Sequence, residues 1–520
     1  MTAVARDPAA PWARERRFDL SLTLVVFAAG AGSLATEIGA ARLLAPYYGS
    51  STIVWANVIG LVLASLALGY WLGGRLADRR PNARLLGLLV VAAALAVAAI
   101  PFISKPFLDV TVEGLDEVSA GAAIGSFFAV LALFAPPVTL LCMVAPFAVR
   151  LGVTEVATAG SVAGRLYAVS TVGSLLGTFL SALVAIPAIG TQRTLIASAV
   201  LIALGGALVL GPRWLGVAVG VAALAAIPPG AVRARDAIVY ERESRYQFVQ
   251  VVESDGARRL YLDEGLATHS VWRADTVLTG GIWDTFLAVP PLLGRPVQRV
   301  AILGNAGGTT ARAFAVFYPD AEIDGVELDP AVTAVGRRYL GLGDNPRLRV
   351  HTADARPFLR RTGERYDLVF VDAYRPPYVP FYLATREFFR LVRERLRPGG
   401  IVALNVATVP SDHGLVDGIG GTLAREFPQV AGWQALRFNQ LVLGFTEPLG
   451  RGEAAKRLAR APGPLRELTA LLAAGMRRIE PSADSWTDDR SPVEWVTDRM
   501  IVEWAAESGE FDERPLPTAP

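Results

Sequence analysis

Cysteine and histidine are nearly absent from this sequence. The single cysteine, Cys142, excludes an internal disulfide, and His269, His351 and His413 are too few to build a zinc or haem site with it, so no metal is expected. Lysine is as scarce. Lys105 and Lys456 both lie outside the motifs described below, which removes the residue that Schiff-base and P-loop chemistry require. Net charge is also small: 50 Lys and Arg against 48 Asp and Glu leave +2. That balance excludes a strongly basic nucleic-acid binder and an acidic disordered tail protein, and no nucleic-acid partner is expected.

Apolar residues are abundant, at 52% with a mean hydropathy of +0.39, beyond what an ordinary soluble enzyme carries. The charges are unevenly spread. Residues 20–232 hold 17 charged side chains, and residues 233–520 hold 74. The first part reads as a membrane domain embedded in a lipid bilayer and the second as water-soluble. A transmembrane helix needs about 20 mostly apolar residues. The uncharged stretches 53–74, 85–104, 166–192, 194–212 and 214–232 qualify, as do a span beginning at 20–36 and the long stretch 118–149, giving seven spans. Pro136-Pro137 is expected to break or kink the last of these. Arg14, Arg16 and Arg17, and Arg75, Arg79, Arg80 and Arg84, place the amino terminus and the 75–84 loop in the cytoplasm. Seven spans would then leave the soluble half outside. Either 118–149 holds more than one crossing, or 214–232, interrupted by Pro228-Pro229, falls short of one; a cytoplasmic soluble domain requires such a change of parity. Glu37 and Arg42 lie near the end of the first span, where they snorkel or mark a substrate path. Gly173, Gly177 and Ser181 recur every four positions, a stripe suited to helix pairing. Residues 73–80, GGRLADRR, resemble a loop motif of major facilitator transporters, but the spans are too few for a complete transporter of that type.

The soluble half opens with alternation over 245–252, a turn signal at Asp255-Gly256 and a returning strand at 259–262, a β-hairpin at 244–263. From 299 the pattern alternates: strands at 299–303, 323–327, 348–351, 366–371 and 401–405, with helices at 309–317, 330–340 and 384–396. Such alternation implies a parallel, doubly wound sheet, whose ligands bind beyond the carboxyl ends of the strands. Gly304, Glu327, Asp354 and Asp372 all fall there. Glycines after the first strand admit a ligand close to the backbone, and a carboxylate at the second strand end, Glu327, can accept both hydroxyls of a ribose. Asp354 can accept an adenine amino group. The string G-N-A-G-G-T lacks the third glycine of a dinucleotide loop and favours an S-adenosyl ligand.

Several landmarks over 245–408 resemble the polyamine synthase domain of spermidine and spermine synthases: Tyr246-Gln247, Leu262-Asp263, the glycine loop 304–308, Val326-Glu327-Leu328-Asp329, Asp354-Ala355, and Tyr366-Asp367 through Asp372. GYWLGGRLADR, GRLYAVSTVGSLLG and the stretch from Thr487 to Glu494 resemble the membrane-fused members of that group. The resemblance implies a membrane domain of several α-helical spans followed by an α/β domain, with a β-hairpin and a doubly wound, mostly parallel Rossmann-like sheet of the S-adenosylmethionine-methyltransferase type. It divides the chain into a cytoplasmic tail (1–19), a transmembrane domain (20–232), a β-hairpin subdomain (233–285), a nucleoside-binding domain (286–450) and a C-terminal helical extension (451–520). The implied roles are Asp372 as proton acceptor, and Gly304, Gly307, Glu327, Asp354 and Ala355 at decarboxylated S-adenosylmethionine. Gln247, Asp263, Tyr374 and Arg375 fall at the substrate.

Three departures from the family pattern stand out. Gly307 replaces an aspartate of the usual G-G-G-D-G loop, Asp372-Ala373-Tyr374-Arg375 replaces D-S-S-D, and Ile282-Trp283 stands where a tyrosine is expected. Tyr374 or Tyr378 is available for that tyrosine's space. Arg375 suits a carboxylate or phosphate, including the carboxylate of intact S-adenosylmethionine, or pairs with Asp372. The expected function is a multi-pass, cell-membrane aminopropyltransferase acting on an amine or other acceptor, with a homodimer through the soluble domain. The alternatives are a methyltransferase-type enzyme using S-adenosylmethionine and a non-catalytic nucleoside sensor.

Overall fold

A computed structural model describes residues 11–48, 52–115, 121–227, 237–263, 267–374 and 378–506. The chain divides near residue 235 into two compact units, one helical and one α/β.

Among the described residues, six helices of the first unit are long and apolar enough to cross a membrane: Asp19–Tyr48, Ile53–Arg79, Ala83–Thr111, Ile124–Gly152, Val156–Ile189 and Thr191–Leu210. Most of the stretch 118–149 falls in one of these helices, Ile124–Gly152. Pro136-Pro137 does not end its helix, because a wide turn at Val130–Phe134 precedes the pair and the prolines open the next helix, Ala135–Cys142, where an N–H is not needed. Ser181–Ala185 forms the same kind of turn ahead of Pro187. The span expected at 214–232 is instead the short apolar helix within Pro212–Ala226, so the described residues hold six helices of spanning length where seven are expected. Pro228-Pro229 lies outside the described residues.

The glycine stripe is a contact surface. A β-carbon at Gly173 would stand 2.3 Å from the Phe27 carbonyl oxygen, and one at Gly177 2.2 Å from that of Ala31. Gly30 meets the Ser170 carbonyl oxygen in the same way at 2.3 Å. The first and fifth long helices therefore touch backbone to backbone. In a lipid environment this close packing, rather than water exclusion, is what holds helices together.

The second unit holds two sheets. Strands β1 (Ile238–Glu243), β2 (Phe248–Ser254), β3 (Ala257–Leu262) and β4 (Thr268–Arg273) form a four-stranded sheet in that order. The expected hairpin is β2–β3. Ser254 pairs with Ala257 across Asp255 and Gly256, which adopt φ of +52° and +69°. Both central residues of this two-residue turn thus have the left-handed backbone that matches strand twist.

The larger sheet contains β5 (Arg299–Leu303), β6 (Glu322–Glu327), β7 (Leu348–Thr352), β8 (Tyr366–Val371), β9 (Leu396–Ala407), β10 (Gln429–Gln434), β11 (Asn439–Phe445) and β12 (Arg477–Ile479). Its order is β12-β10-β11-β9-β8-β5-β6-β7, parallel from β9 to β7 and antiparallel from β9 to β12. This is the doubly wound, mostly parallel, Rossmann-like sheet expected. β6 and β7 lie on one side of β5, and β8 and β9 on the other, so the order reverses between β5 and β8, the place beyond whose strand ends sheets of this kind bind ligands. Residues 451–520 are not purely helical: β12 joins the sheet edge against β10.

If the glycine stripe carries helix pairing, bulk at Gly177 should be costly and bulk at Gly164 tolerated, since nothing lies within 4 Å of a β-carbon there. Gly177→Leu should lose at least about 1–3 kcal/mol, the usual cost of overpacking. Thermal unfolding of both variants in detergent, read on the helical signal, checks this; equal midpoints would refute it.

Candidate functional site at the carboxyl edge of the parallel sheet

Strands β5, β6 and β8 are buried along nearly their whole length, β6 with three acids among its six residues, and each leads at its carboxyl end to one of the expected site residues. β5 runs into Gly304, whose φ of +89° favours glycine. A β-carbon there would stand 2.4 Å from the Asp372 carbonyl oxygen, so the loop after β5 and the exit of β8 are in direct contact. The Asp372 N–H donates to the Leu303 carbonyl at 2.8 Å, fixing the same junction.

Glu327 ends β6 and is buried, with 9% of its surface exposed. Its carboxylate accepts from the Ala306 N–H at 3.0 Å and from the Asp329 N–H at 2.9 Å, which ties it to the glycine loop. Burial pushes its carboxyl up to about 7, against the pull of those two donors. Its backbone carbonyl accepts from Ala353 N–H at 3.0 Å, bringing the end of β7 alongside. Asp354, next in sequence, opens the helix Ala355–Arg361. One of its oxygens accepts from the Arg356 N–H at 3.0 Å, and the other accepts from the Tyr382 hydroxyl at 2.7 Å. Ala355 is buried beneath it.

Asp372 leaves β8 partly buried. Desolvation pushes its carboxyl up to about 7, while the Asn405 side-chain amide, donating at 2.9 Å, draws it partly back. Asn405 is itself held by the Asn439 amide at 2.9 Å. Tyr374 lies beside them, but its hydroxyl is committed: it donates to the Asn405 carbonyl at 2.8 Å and accepts from Ala407 N–H at 3.0 Å. The Tyr378 hydroxyl donates to Asp498. Arg375 lies outside the described residues.

Hydrogen bonds also fix the remaining expected residues in place. Asp263, at φ +45°, accepts from Phe248 N–H and donates its own N–H to the Phe248 carbonyl, both at 3.0 Å, closing the open end of the hairpin. Gln247 sits in the bend between β1 and β2, where its N–H donates to the Ser244 hydroxyl at 3.0 Å and its carbonyl accepts from Ser244 N–H at 2.9 Å. Gly307 donates its N–H to the Ser270 hydroxyl at 2.8 Å. A β-carbon on it would stand 2.4 Å from Leu340 Cδ1 and 2.9 Å from Ser270 Cβ. An aspartate at 307 would therefore require both neighbours to move. The structure thus joins Gly304 to Asp372 by direct contact, joins Glu327 to the same loop through Ala306, and links Asp354 to Glu327 through the end of β7.

Sequence reasoning missed Asn405, Asn439 and Tyr382. Asn405 had a signal: it is the polar last residue of an apolar run at 401–405, in register beside β8. Tyr382 had none, since it meets Asp354 across 28 positions. Among the described residues, no cluster of histidine, cysteine and acidic side chains is arranged to hold a metal.

Residues 285–433 match the family of the spermine/spermidine synthase domain. Gly304, Gly307, Glu327, Asp354, Ala355, Asp372 and Tyr374 lie within the match, while Gln247 and Asp263 precede it. A probable polyamine aminopropyl transferase of Bifidobacterium longum is 34% identical over 192 residues, which cover 36% of this chain and 42% of that protein. A polyamine aminopropyltransferase of Vibrio vulnificus is 30% identical over 182 residues, covering 32% of this chain and 58% of its own. The chain thus spans about half the length of these curated relatives. The crystal structure of a probable spermidine synthase from Corynebacterium glutamicum aligns with 49% of this chain and 99% of its own, at 17% identity and a TM-score of 0.39.

The raised carboxyls give the α/β unit a pH signature. An unfolded aspartate titrates near 3.9 and Asp372 near 7, so the folded chain keeps a proton that the unfolded chain releases in between. Stability from this source is full below about pH 4 and is lost as pH rises through about 7, by at most about 1.4 kcal/mol per pH unit. Asp372→Asn should flatten that fall. Urea midpoints between about pH 5 and about pH 7 check it, and an unaltered slope would show that Asp372 titrates as an ordinary carboxylate.

Proposed function

We propose that this chain is a membrane-anchored aminopropyltransferase that uses decarboxylated S-adenosylmethionine and an amine acceptor. The observation that carries the reading is Asp372: a carboxyl raised to about 7, oriented by Asn405, standing against the glycine loop where the strand order reverses. An amine acceptor is protonated in water and must lose a proton to become a nucleophile. A carboxyl tuned near neutrality is suited to take that proton and is ionised for much of the time at pH 7. The amine lone pair then attacks the methylene next to the sulfonium. A C–N bond forms, the C–S bond breaks, and the sulfur leaves as the neutral thioether of methylthioadenosine. Glu327 would accept the ribose hydroxyls and Asp354 the adenine amino group. The relatives named above are called aminopropyltransferases, which supports the reaction class.

One observation favours a second reading. The packing of Leu340 and Ser270 around Gly307 leaves no room for the acid that would hold the donor's amine, so a methyltransferase-type enzyme using intact S-adenosylmethionine is the alternative.

In the full chain, Asp372→Asn should lower transfer about 10²- to 10⁴-fold with nucleoside binding largely kept. Glu327→Ala should weaken methylthioadenosine binding about tenfold to a hundredfold. Full activity in the first variant removes the base, and unchanged affinity in the second removes the nucleoside site. Assays with decarboxylated and intact S-adenosylmethionine separate the two readings.

Membrane anchoring rests on the six long apolar helices. With an even number of crossings and the arginines of the amino terminus inside, the α/β unit would be cytoplasmic, where S-adenosyl nucleotides are made. Cysteines placed at Ser254 and Ser411 in a Cys142→Ala background should resist a membrane-impermeant maleimide on intact cells and react after lysis. Labelling without lysis would place the domain outside.

A further inference from the structure

The matched domain ends at residue 433, yet a polar residue at its nucleoside edge is secured from well beyond that point. Asp488, in the stretch Thr487–Glu494, grips the Arg356 guanidinium with both oxygens, at 2.7 and 2.6 Å. It also accepts from the Thr385 hydroxyl at 2.7 Å, and its N–H donates to the Glu387 carboxylate at 3.1 Å. Arg356 donates onward to the Tyr382 carbonyl at 3.2 Å, and the Tyr382 hydroxyl donates to Asp354 at 2.7 Å. Asp354 closes the ring by accepting from Arg356 N–H. On either side, the Arg386 N–H donates to the Trp486 carbonyl at 2.9 Å, the Ser491 hydroxyl to the Phe381 carbonyl at 3.3 Å, and the Tyr378 hydroxyl to Asp498.

We propose that segment 486–498 is a strap that holds Asp354 and residues 378–386 in their working arrangement, with Asp488, Arg356 and Tyr382 as positioning residues for the group that Asp354 binds. This rests on the nucleoside reading of Asp354. The argument is one of competition. Each Asp354 oxygen already accepts one hydrogen bond, which fixes the carboxylate's rotation and leaves its remaining lone pairs for a ligand. Arg356 is buried, with 7% of its surface exposed, and a buried guanidinium requires an anion. Asp488 supplies it. Without Asp488, the other carboxylates acting on that guanidinium are those of Glu387 and Asp354. Arg356 would then turn toward Asp354 and occupy the lone pairs that an adenine amino group needs.

The test titrates methylthioadenosine into the full-length protein in detergent. Asp488→Asn should weaken binding about tenfold, while kcat at saturating nucleoside stays within about twofold. Tyr382→Phe, which loses a single hydroxyl and does not threaten folding, should weaken it about threefold to tenfold. The deciding variant is Asp488→Asn combined with Arg356→Leu. With no guanidinium left to capture Asp354, affinity should recover to within about threefold of the parent, whereas a purely structural role for the strap would make the double variant worse than the single one. Unchanged affinity in both single variants, or a further loss in the double, overturns the strap while Glu327→Ala still weakens binding. If Glu327→Ala is also silent, the nucleoside site itself is refuted and the strap falls with it.

Discussion

The contact between Gly304 and the Asp372 carbonyl oxygen sets the geometry on which the α/β unit depends. It exists because β5 and β8 are parallel neighbours whose chains leave the sheet on the same side, and only a residue without a β-carbon lets them leave so close together. Around that junction Glu327 and Asp372 are both desolvated. Burying a carboxylate is costly unless donors meet it. The donors here are unequal: two backbone N–H groups for Glu327, one asparagine amide for Asp372. Burial outweighs both, and both carboxyls are pushed up to about 7. A site of this kind changes charge around neutral pH, as proton-transfer chemistry requires.

The four-stranded sheet bears on the same loop. Ser270 in β4 accepts from Gly307 N–H, and the Thr309 hydroxyl donates to the Val271 carbonyl at 3.2 Å and accepts from Val271 N–H at 2.9 Å. Arg312 adds a bond to the Arg273 carbonyl at 2.9 Å. The loop after β5 is thus backed by a strand that precedes it by more than thirty residues. Its shape, including the absence of a side chain at 307, follows from that backing as much as from its own glycines.

Strands β5 and β8 were legible because each is a short, mostly apolar run followed by a glycine or an acid, and period and punctuation agree there. β5 and β8 appear at their expected bounds. The hairpin was legible from Asp255-Gly256 for the same local reason. β9 was harder: it begins at Leu396 and passes through Pro398-Gly399-Gly400, which reads as a gap in sequence but forms an irregularity within the pairing to β8. Strands β1, β4 and β12 carry no clear alternation, and their pairing decides them. Among site residues, those at strand ends were visible and those that reach them from elsewhere were not. An acid after a strand reads equally as a ligand or as a clamp, and Asp263 makes the bonds of a clamp to Phe248.

Under the proposed reaction, the departure at Gly307 changes what can select the acceptor. Coulomb attraction for a polycation grows with the number of ionised carboxylates facing it, and each carboxyl near its midpoint contributes only about half a charge. Glu327 and Asp372 are both in that condition, and Leu340 and Ser270 occupy the space that a third acid would need. Arg375 stands, by sequence, where a further carboxylate is usual. Selection by charge is therefore weaker here than in a site with four acids, and the acceptor must be recognised more by fit and by hydrogen bonding.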